Sequence, residues 1–206
     1  MNSFQSVTEI LENKLGNDVH FVWALSKDFG SSGFRVGVLY TQNKTVLSAF
    51  GNVNMFSGVS HPMQAIIAEL LSDDEFIDHF LFKNRSLLRS SYEIVTKGLD
   101  EMEVPFVPAQ AGIFVYCDFS SLLCEKSFEG EDKLASLFED YARIVMTPGC
   151  SQREDKPGFF RICYAFVTPE VLRIAVSRLQ MICELLREHG WENIESKINT
   201  TELLSC

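Results

Sequence analysis

A lysine and an arginine eight residues apart frame the stretch of this sequence richest in chemistry, Ser26-Lys27-Asp28-Phe29-Gly30-Ser31-Ser32-Gly33-Phe34-Arg35-Val36-Gly37. The run before it, Val19 to Leu25, is almost continuously apolar and reads as a strand buried on both faces. Lys27 would then stand at the C-terminal end of that strand, where ligand sites of parallel sheets lie. The glycines that follow would let a ligand approach the backbone closely. An amine and a guanidinium so placed suit a ligand with one aldehyde and one phosphate: the lysine forms an imine and the arginine forks onto the phosphate. Taken alone, a lysine at such a place is more simply a surface residue in a turn. Arg161, in the strand-like run Phe159 to Phe166, is by itself read as the partner in a structural ion pair.

The elements that must hold these residues follow from periodicity. Ser6-Val7-Thr8-Glu9 fits a capping box, and Val7, Ile10, Leu11 and Leu15 make one helical face that Gly16 can end. Arg35 to Tyr40 reads as a second strand, and a helix is expected from the mid-forties to Phe56 although Gly51 interrupts it. After Pro62 the stripe Met63, Ile66, Ile67, Leu70, Leu71 is helical, and from Asp73 a longer apolar pattern runs until Pro105 forbids more. Gly112 to Asp118 is strand-like, and Leu134, Leu137, Phe138 and Tyr141 share a helical face. Thr168 suits an N-cap with Pro169 at the first helical position, and that helix runs to Gly190. Residues 191–206 show no strong pattern and are expected to fray. Alternating strands and helices point to an α/β architecture.

Composition narrows the functional classes. Eighteen Lys and Arg against twenty-eight Asp and Glu leave a net charge of −10, which argues against nucleic acid as a partner. No apolar stretch is long enough to span a membrane, and the N-terminal MNSFQSVTEI lacks the marks of a secretory leader. The six cysteines (117, 124, 150, 163, 183 and 206) include no CxxC pair, so reduced thiols and a cytoplasmic location are expected. His20, His61, His79 and His189 have no metal-ligand spacing, and no metal is expected.

The stretch Ser26–Gly37 resembles, as a whole motif, the pyridoxal-phosphate lysine signature S-K-x-x-G-x-x-G-x-R-x-G of class I/II aminotransferases. Ser26, Lys27, Gly30, Gly33, Arg35 and Gly37 fill every fixed position, and SKDFGSSGFRVGVLY is nearest to the 1-aminocyclopropane-1-carboxylate synthase-like branch. The resemblance implies pyridoxal 5'-phosphate as cofactor, Lys27 as its Schiff-base lysine, Arg35 as the phosphate anchor and Ser26 as a cofactor-binding neighbour. Three residues before the lysine many relatives carry a phosphate-contacting serine; here the residue is Ala24. Downstream, Lys156-Pro157-Gly158-Phe159-Phe160-Arg161-Ile162-Cys163-Tyr164-Ala165 is similar to the family's E-P-G-W-F-R-V-C-F-A segment, which assigns the substrate α-carboxylate to Arg161. Thr147-Pro148-Gly149 fits the turn before that strand, and Ala111 to Val115 resembles the strand entered after an N-A-G-like turn. Ser60 and His61 occupy a loop that in relatives lies near the neighbouring subunit's cofactor phosphate.

The implied fold is a partial fold-type I pyridoxal-phosphate transferase: the end of the large α/β domain followed by the C-terminal small α+β domain. Residues 1–62 are expected to be the remnant of the large domain, 63–104 connecting helices, 105–190 the small domain and 191–206 a tail. The match covers the family's C-terminal half, so Met1 is expected near the end of its D-x-x-Y element, and an internal start, a truncated gene model or a fragment would all fit. Implied function is a transformation of an amino-acid substrate, by transamination or elimination, in a protein that is a homodimer when complete. This chain alone is expected to be inactive. The competing reading is a non-catalytic remnant that serves as an interaction or dimerisation module.

Overall fold

A computed structural model describes residues 5–200. The chain forms two compact units, residues 1–78 and 79–206. In the first, the Ser6 hydroxyl accepts from the Thr8 N–H at 3.3 Å and opens helix α1 (Val7–Ile10). The helix is one turn long, because Glu12 and Asn13 turn into the left-handed region (φ 48° and 62°), well before the Gly16 expected to stop it. Gln42 fastens this turn from afar, its amide donating to the Asn13 carbonyl at 2.6 Å and accepting from the Gly16 N–H at 2.9 Å.

Strand β1 (His20–Ala24) leads into the short helix α2 (Leu25–Asp28), and strand β2 (Gly37–Thr41) returns antiparallel, with Ala24 opposite Gly37 and His20 opposite Thr41. Two expectations are corrected here. The lysine-bearing strand is half of an antiparallel pair, not part of a parallel sheet, and it is not buried on both faces: Val22 is 74% exposed. The second strand starts at Gly37, since Arg35 adopts a left-handed conformation (φ 55°) after a 3-10 turn over Ser32–Phe34. Helix α3 (Lys44–Asn54) tolerates Gly51 because Asn43 caps it, Oδ1 accepting from the N–H groups of Thr45 and Val46 at 2.9 and 3.1 Å. Helix α4 (His61–Ser72) begins with Pro62 in its first turn, as expected. Leu15, Leu25 and Ile67 are the buried apolar side chains of this unit among the described residues.

Helix α5 (Asp74–Glu101) carries the long apolar pattern. Beyond it the second unit builds a four-stranded antiparallel sheet from β3 (Phe106–Val107), β4 (Phe114–Asp118), β5 (Thr147–Pro148) and β6 (Phe159–Cys163), in the order β3-β4-β6-β5. The strand expected to run to Phe166 therefore ends at Cys163, and Thr147–Pro148 is an edge strand where a turn was expected. Between them in sequence lies helix α6 (Phe128–Leu137), continued by a π turn over Phe138–Ala142. Phe119, Phe138 and Phe160, all fully buried, meet edge to face with centroids 5.4–6.0 Å apart and form the centre of the core.

Helix α7 (Pro169–His189) covers that core with Leu172, Leu179, Ile182, Cys183 and Leu186. Its contact with α5 is close: a Cβ at Gly98 would lie 2.2 Å from Val176 Cγ1. Residues 194–200 do not fray but form helix α8 (Ile194–Thr200), because Ile194 and Ile198 bury one face and the Trp191 indole donates to the Leu122 carbonyl at 2.8 Å. Residues 201–206, the rest of the expected tail, lie outside the described residues.

Candidate functional site

Lys27 sits in the single turn α2, which leaves β1 as soon as the buried Leu25 anchors it (1% exposed). Leu25 donates to the Val36 carbonyl at 3.3 Å, so the turn is tied to the chain that re-enters the sheet. The Trp23 indole donates to the Asp28 carboxylate at 2.5 Å and meets the Phe29 ring edge to face at 6.3 Å. These contacts bracket Lys27 on either side and leave its side chain exposed. Gly30, at φ 61°, takes the left-handed conformation that ends the turn.

Arg35 faces solvent from its left-handed corner and donates through Nη1 to the Ser32 carbonyl at 3.1 Å. Among the described residues no carboxylate forms an ion pair with it, in a chain of net charge −10. A guanidinium has five donors, so most of them are left for an anion. Ala24 precedes α2 with extended backbone and no side-chain cap, and Ser26 is half-buried at the second position of the turn. Ser60 and His61 are exposed at the start of α4.

The second unit places Arg161 on the inner strand β6, between Tyr116 of β4 and Thr147 of β5. Its guanidinium lies over the Phe114 ring at 4.2 Å, a cation–π contact, and Nη2 donates to Thr147 Oγ1 at 3.3 Å. The Nε–H is buried with no hydrogen-bond partner, and no carboxylate of the described residues pairs with the side chain. The structural ion pair expected of a lone strand arginine is thus absent among the described residues. A buried donor left open costs free energy unless a ligand oxygen satisfies it.

Around Arg161 the structure adds residues that the sequence did not single out. Glu131 on α6 is fully buried and accepts from the Cys150 and Gly158 N–H groups. Tyr116 stacks on Phe159 with centroids 5.4 Å apart and donates to Glu154 at 2.9 Å; burial and the Glu154 carboxylate push its phenol upward. One signal was legible for Glu131: it shares a helical stripe with Leu134 and Phe138, and a carboxylate on an apolar stripe needs partners. Nothing in the sequence marked Phe114 or Thr147 as neighbours of Arg161, since strand pairing makes them so.

The sequence profile of the family Aminotransferase class I and II matches residues 2–179. The chain belongs to that family. It is 35% identical to 1-aminocyclopropane-1-carboxylate synthase 4 of Solanum lycopersicum over 184 residues, 88% of this chain and 39% of that protein. Against 1-aminocyclopropane-1-carboxylate synthase 2 of Oryza sativa subsp. japonica the identity is 32% over 94% of this chain and 40% of the relative. The chain thus spans about two fifths of the length of these curated relatives. Its fold is that of part of the fold-type I aminotransferases: aspartate aminotransferase from Thermus thermophilus superposes with a TM-score of 0.74 at 21% identity, covering 88% of this chain and 44% of that one. Aromatic aminotransferase from Pyrococcus horikoshii gives 0.71, covering 87% and 44%. Pyridoxal phosphate is the expected cofactor of this class I/II family, and the donor set fits it, with Lys27 on an exposed turn and, in the same segment, an Arg35 guanidinium that makes no ion pair among the described residues.

Proposed function

We propose that this chain carries the lysine and the two anion-binding arginines of a pyridoxal-phosphate-dependent enzyme acting on an amino acid, of the 1-aminocyclopropane-1-carboxylate synthase-like branch. Arg161 carries the reading: a guanidinium seated on an aromatic ring, hydrogen-bonded to Thr147, with a buried Nε–H that has no partner. That arrangement is complementary to a carboxylate, which accepts two parallel N–H donors from one planar fork. When bound, the cofactor supplies an aldehyde and a ring that withdraws electrons from the substrate Cα. Lys27 Nζ would hold that aldehyde and, once displaced from it by the substrate's amino group, would be the neutral amine that takes the Cα proton. Arg35 anchors the phosphate, and Ser26 lies beside the lysine on the same turn. Arg161 holds the substrate carboxylate. The Solanum and Oryza relatives named as 1-aminocyclopropane-1-carboxylate synthases favour elimination chemistry, and Lys27 serves transamination equally.

The test is chemical. The full 206-residue chain is mixed with pyridoxal phosphate, reduced with borohydride, digested and mapped by mass spectrometry. A pyridoxyl group on Lys27, lost in Lys27→Ala, is the expected result; its appearance on other lysines in proportion to their exposure would sink the reading. A second reading, an interaction or dimerisation module, is favoured by the exposed Val22, Val38, Tyr40 and Phe56 of the first unit. Concentration-dependent self-association, measured by ultracentrifugation on a chain that leaves Lys27 unmodified, would select it.

A further inference from the structure

We infer that Glu131 is the positioning residue of the Arg161 carboxylate site, an inference that rests on the reading of Arg161 just given. Glu131 is fully buried on the apolar stripe that runs along α6 through Leu134 and on to Phe138 in the π turn. A carboxylate taken out of water is tolerated only where hydrogen bonds replace its hydration. Here the two oxygens accept from the two ends of one connection. Oε1 takes the Cys150 N–H at 3.1 Å, just beyond β5, and Oε2 takes the Gly158 N–H at 2.6 Å, just before β6. Among the described residues no basic side chain pairs with it, so backbone donors alone hold it.

The strands thus joined are the ones that pair Thr147 with Arg161 and bring their side chains to 3.3 Å. The connection has little regular structure of its own: a 3-10 turn over Gly149–Gln152, then Arg153 at φ 61°. β5 is two residues long and sits at the sheet edge, so few ladder bonds hold its register. Gly158 cannot drift, because a Cβ there would lie 2.5 Å from Ser120 Cα, and its amide is presented to Glu131 at φ 102°. Glu131 therefore sets where Thr147 stands against Arg161, and with it the direction of the guanidinium fork. A glutamine would keep one acceptor and turn its NH2 against the other N–H, releasing one end of the connection.

The full chain is compared with Glu131→Gln, Glu131→Asp, Leu134→Ala and Arg161→Ala by NMR. The readouts are the cross-strand Thr147–Arg161 contact, the Arg161 Nε–H resonance and its shift on titration with L-alanine. Glu131→Gln is expected to lose the cross-strand contact and to weaken L-alanine by about tenfold or more. Leu134→Ala, which destabilises the same helix while leaving the Glu131 carboxylate in place, should keep both in its folded fraction, and Glu131→Asp should restore part of each. An unchanged contact and affinity in Glu131→Gln would overturn the inference. If Glu131→Gln does not fold, Glu131→Asp decides in the same direction, with wild-type behaviour overturning it. If Arg161→Ala binds L-alanine normally, or the wild type does not bind it, the carboxylate reading falls. The cross-strand contact then decides the role of Glu131 alone.

Discussion

Arg161 is held from below by a ring and from one side by a hydroxyl, and its charge meets no acid of the described residues. Arg161→Ala is expected to weaken binding of an amino-acid carboxylate by the equivalent of about 2–5 kcal/mol, read by titration. Arg161→Lys should recover only part, since an ammonium replaces neither the fork nor the flat contact with Phe114. The buried thiols give a pH signature. Burial pushes Cys183 from 9.0 up to about 12 and raises Cys117 as well. The folded state therefore binds these protons more tightly than the unfolded state, whose thiols titrate near 9.0. Their contribution is complete below that pH and is lost as pH climbs from about 9 toward 12. Urea midpoints should fall over that window, and Cys183→Ala should blunt the fall. At pH 8, iodoacetamide should modify the exposed Cys124 long before Cys117 or Cys183.

At the scale of elements, the α5–α7 contact turns on one missing methyl. In an isolated helix Gly98→Ala would stabilise by about 1 kcal/mol. Here the new Cβ meets Val176 Cγ1 at 2.2 Å, so a net loss of about 1–3 kcal/mol is expected from denaturation curves. Val176→Ala should relieve it in the double variant, giving a favourable coupling. How far elements were legible follows the same logic. Thr168-Pro169 and Gly190 announce α7 at both ends, and the long stripe announces α5, because capping and helical periodicity are local properties. Two-residue strands such as Phe106–Val107 and Thr147–Pro148 exist only through their partners and left no periodic trace. Lys27, Arg35 and Arg161 were singled out in the sequence by the family motifs around them, not by type or spacing alone. The left-handed corner at Arg35 and the antiparallel return of β2 were not legible, since a run of apolar residues does not say which neighbour it pairs with. The buried helix α8 was hidden for a related reason: two isoleucines four apart are too few to show a period.

Across the molecule the two units differ in how much they bury. The second encloses a continuous core from Val95 to Ile198, whereas the first buries Leu15, Leu25 and Ile67 and exposes Val22, Val38 and Tyr40 on its strands. Local stability follows such burial. Hydrogen exchange on the intact chain should therefore show amides of His20–Ala24 and Gly37–Thr41 exchanging well before those of Phe114–Asp118 and Phe159–Cys163. Uniform protection of both pairs would contradict this. Free L-alanine should slow exchange around Arg161 and leave β1 untouched.

Each unit also contains one of the two indoles of the chain, Trp23 in the first and Trp191 in the second. Trp23 donates to Asp28 and touches Phe29, next to the turn that carries Lys27; Trp191, just before α8, donates to the Leu122 carbonyl. The molecule therefore carries an intrinsic fluorophore for each half. A yellow chromophore attached to Lys27 would absorb the emission of Trp23 by dipolar energy transfer, dimming that indole as cofactor is added. In a Trp191→Phe variant the remaining emission becomes an optical titration of the lysine, and in Trp23→Phe the remaining emission follows the melting of the other half.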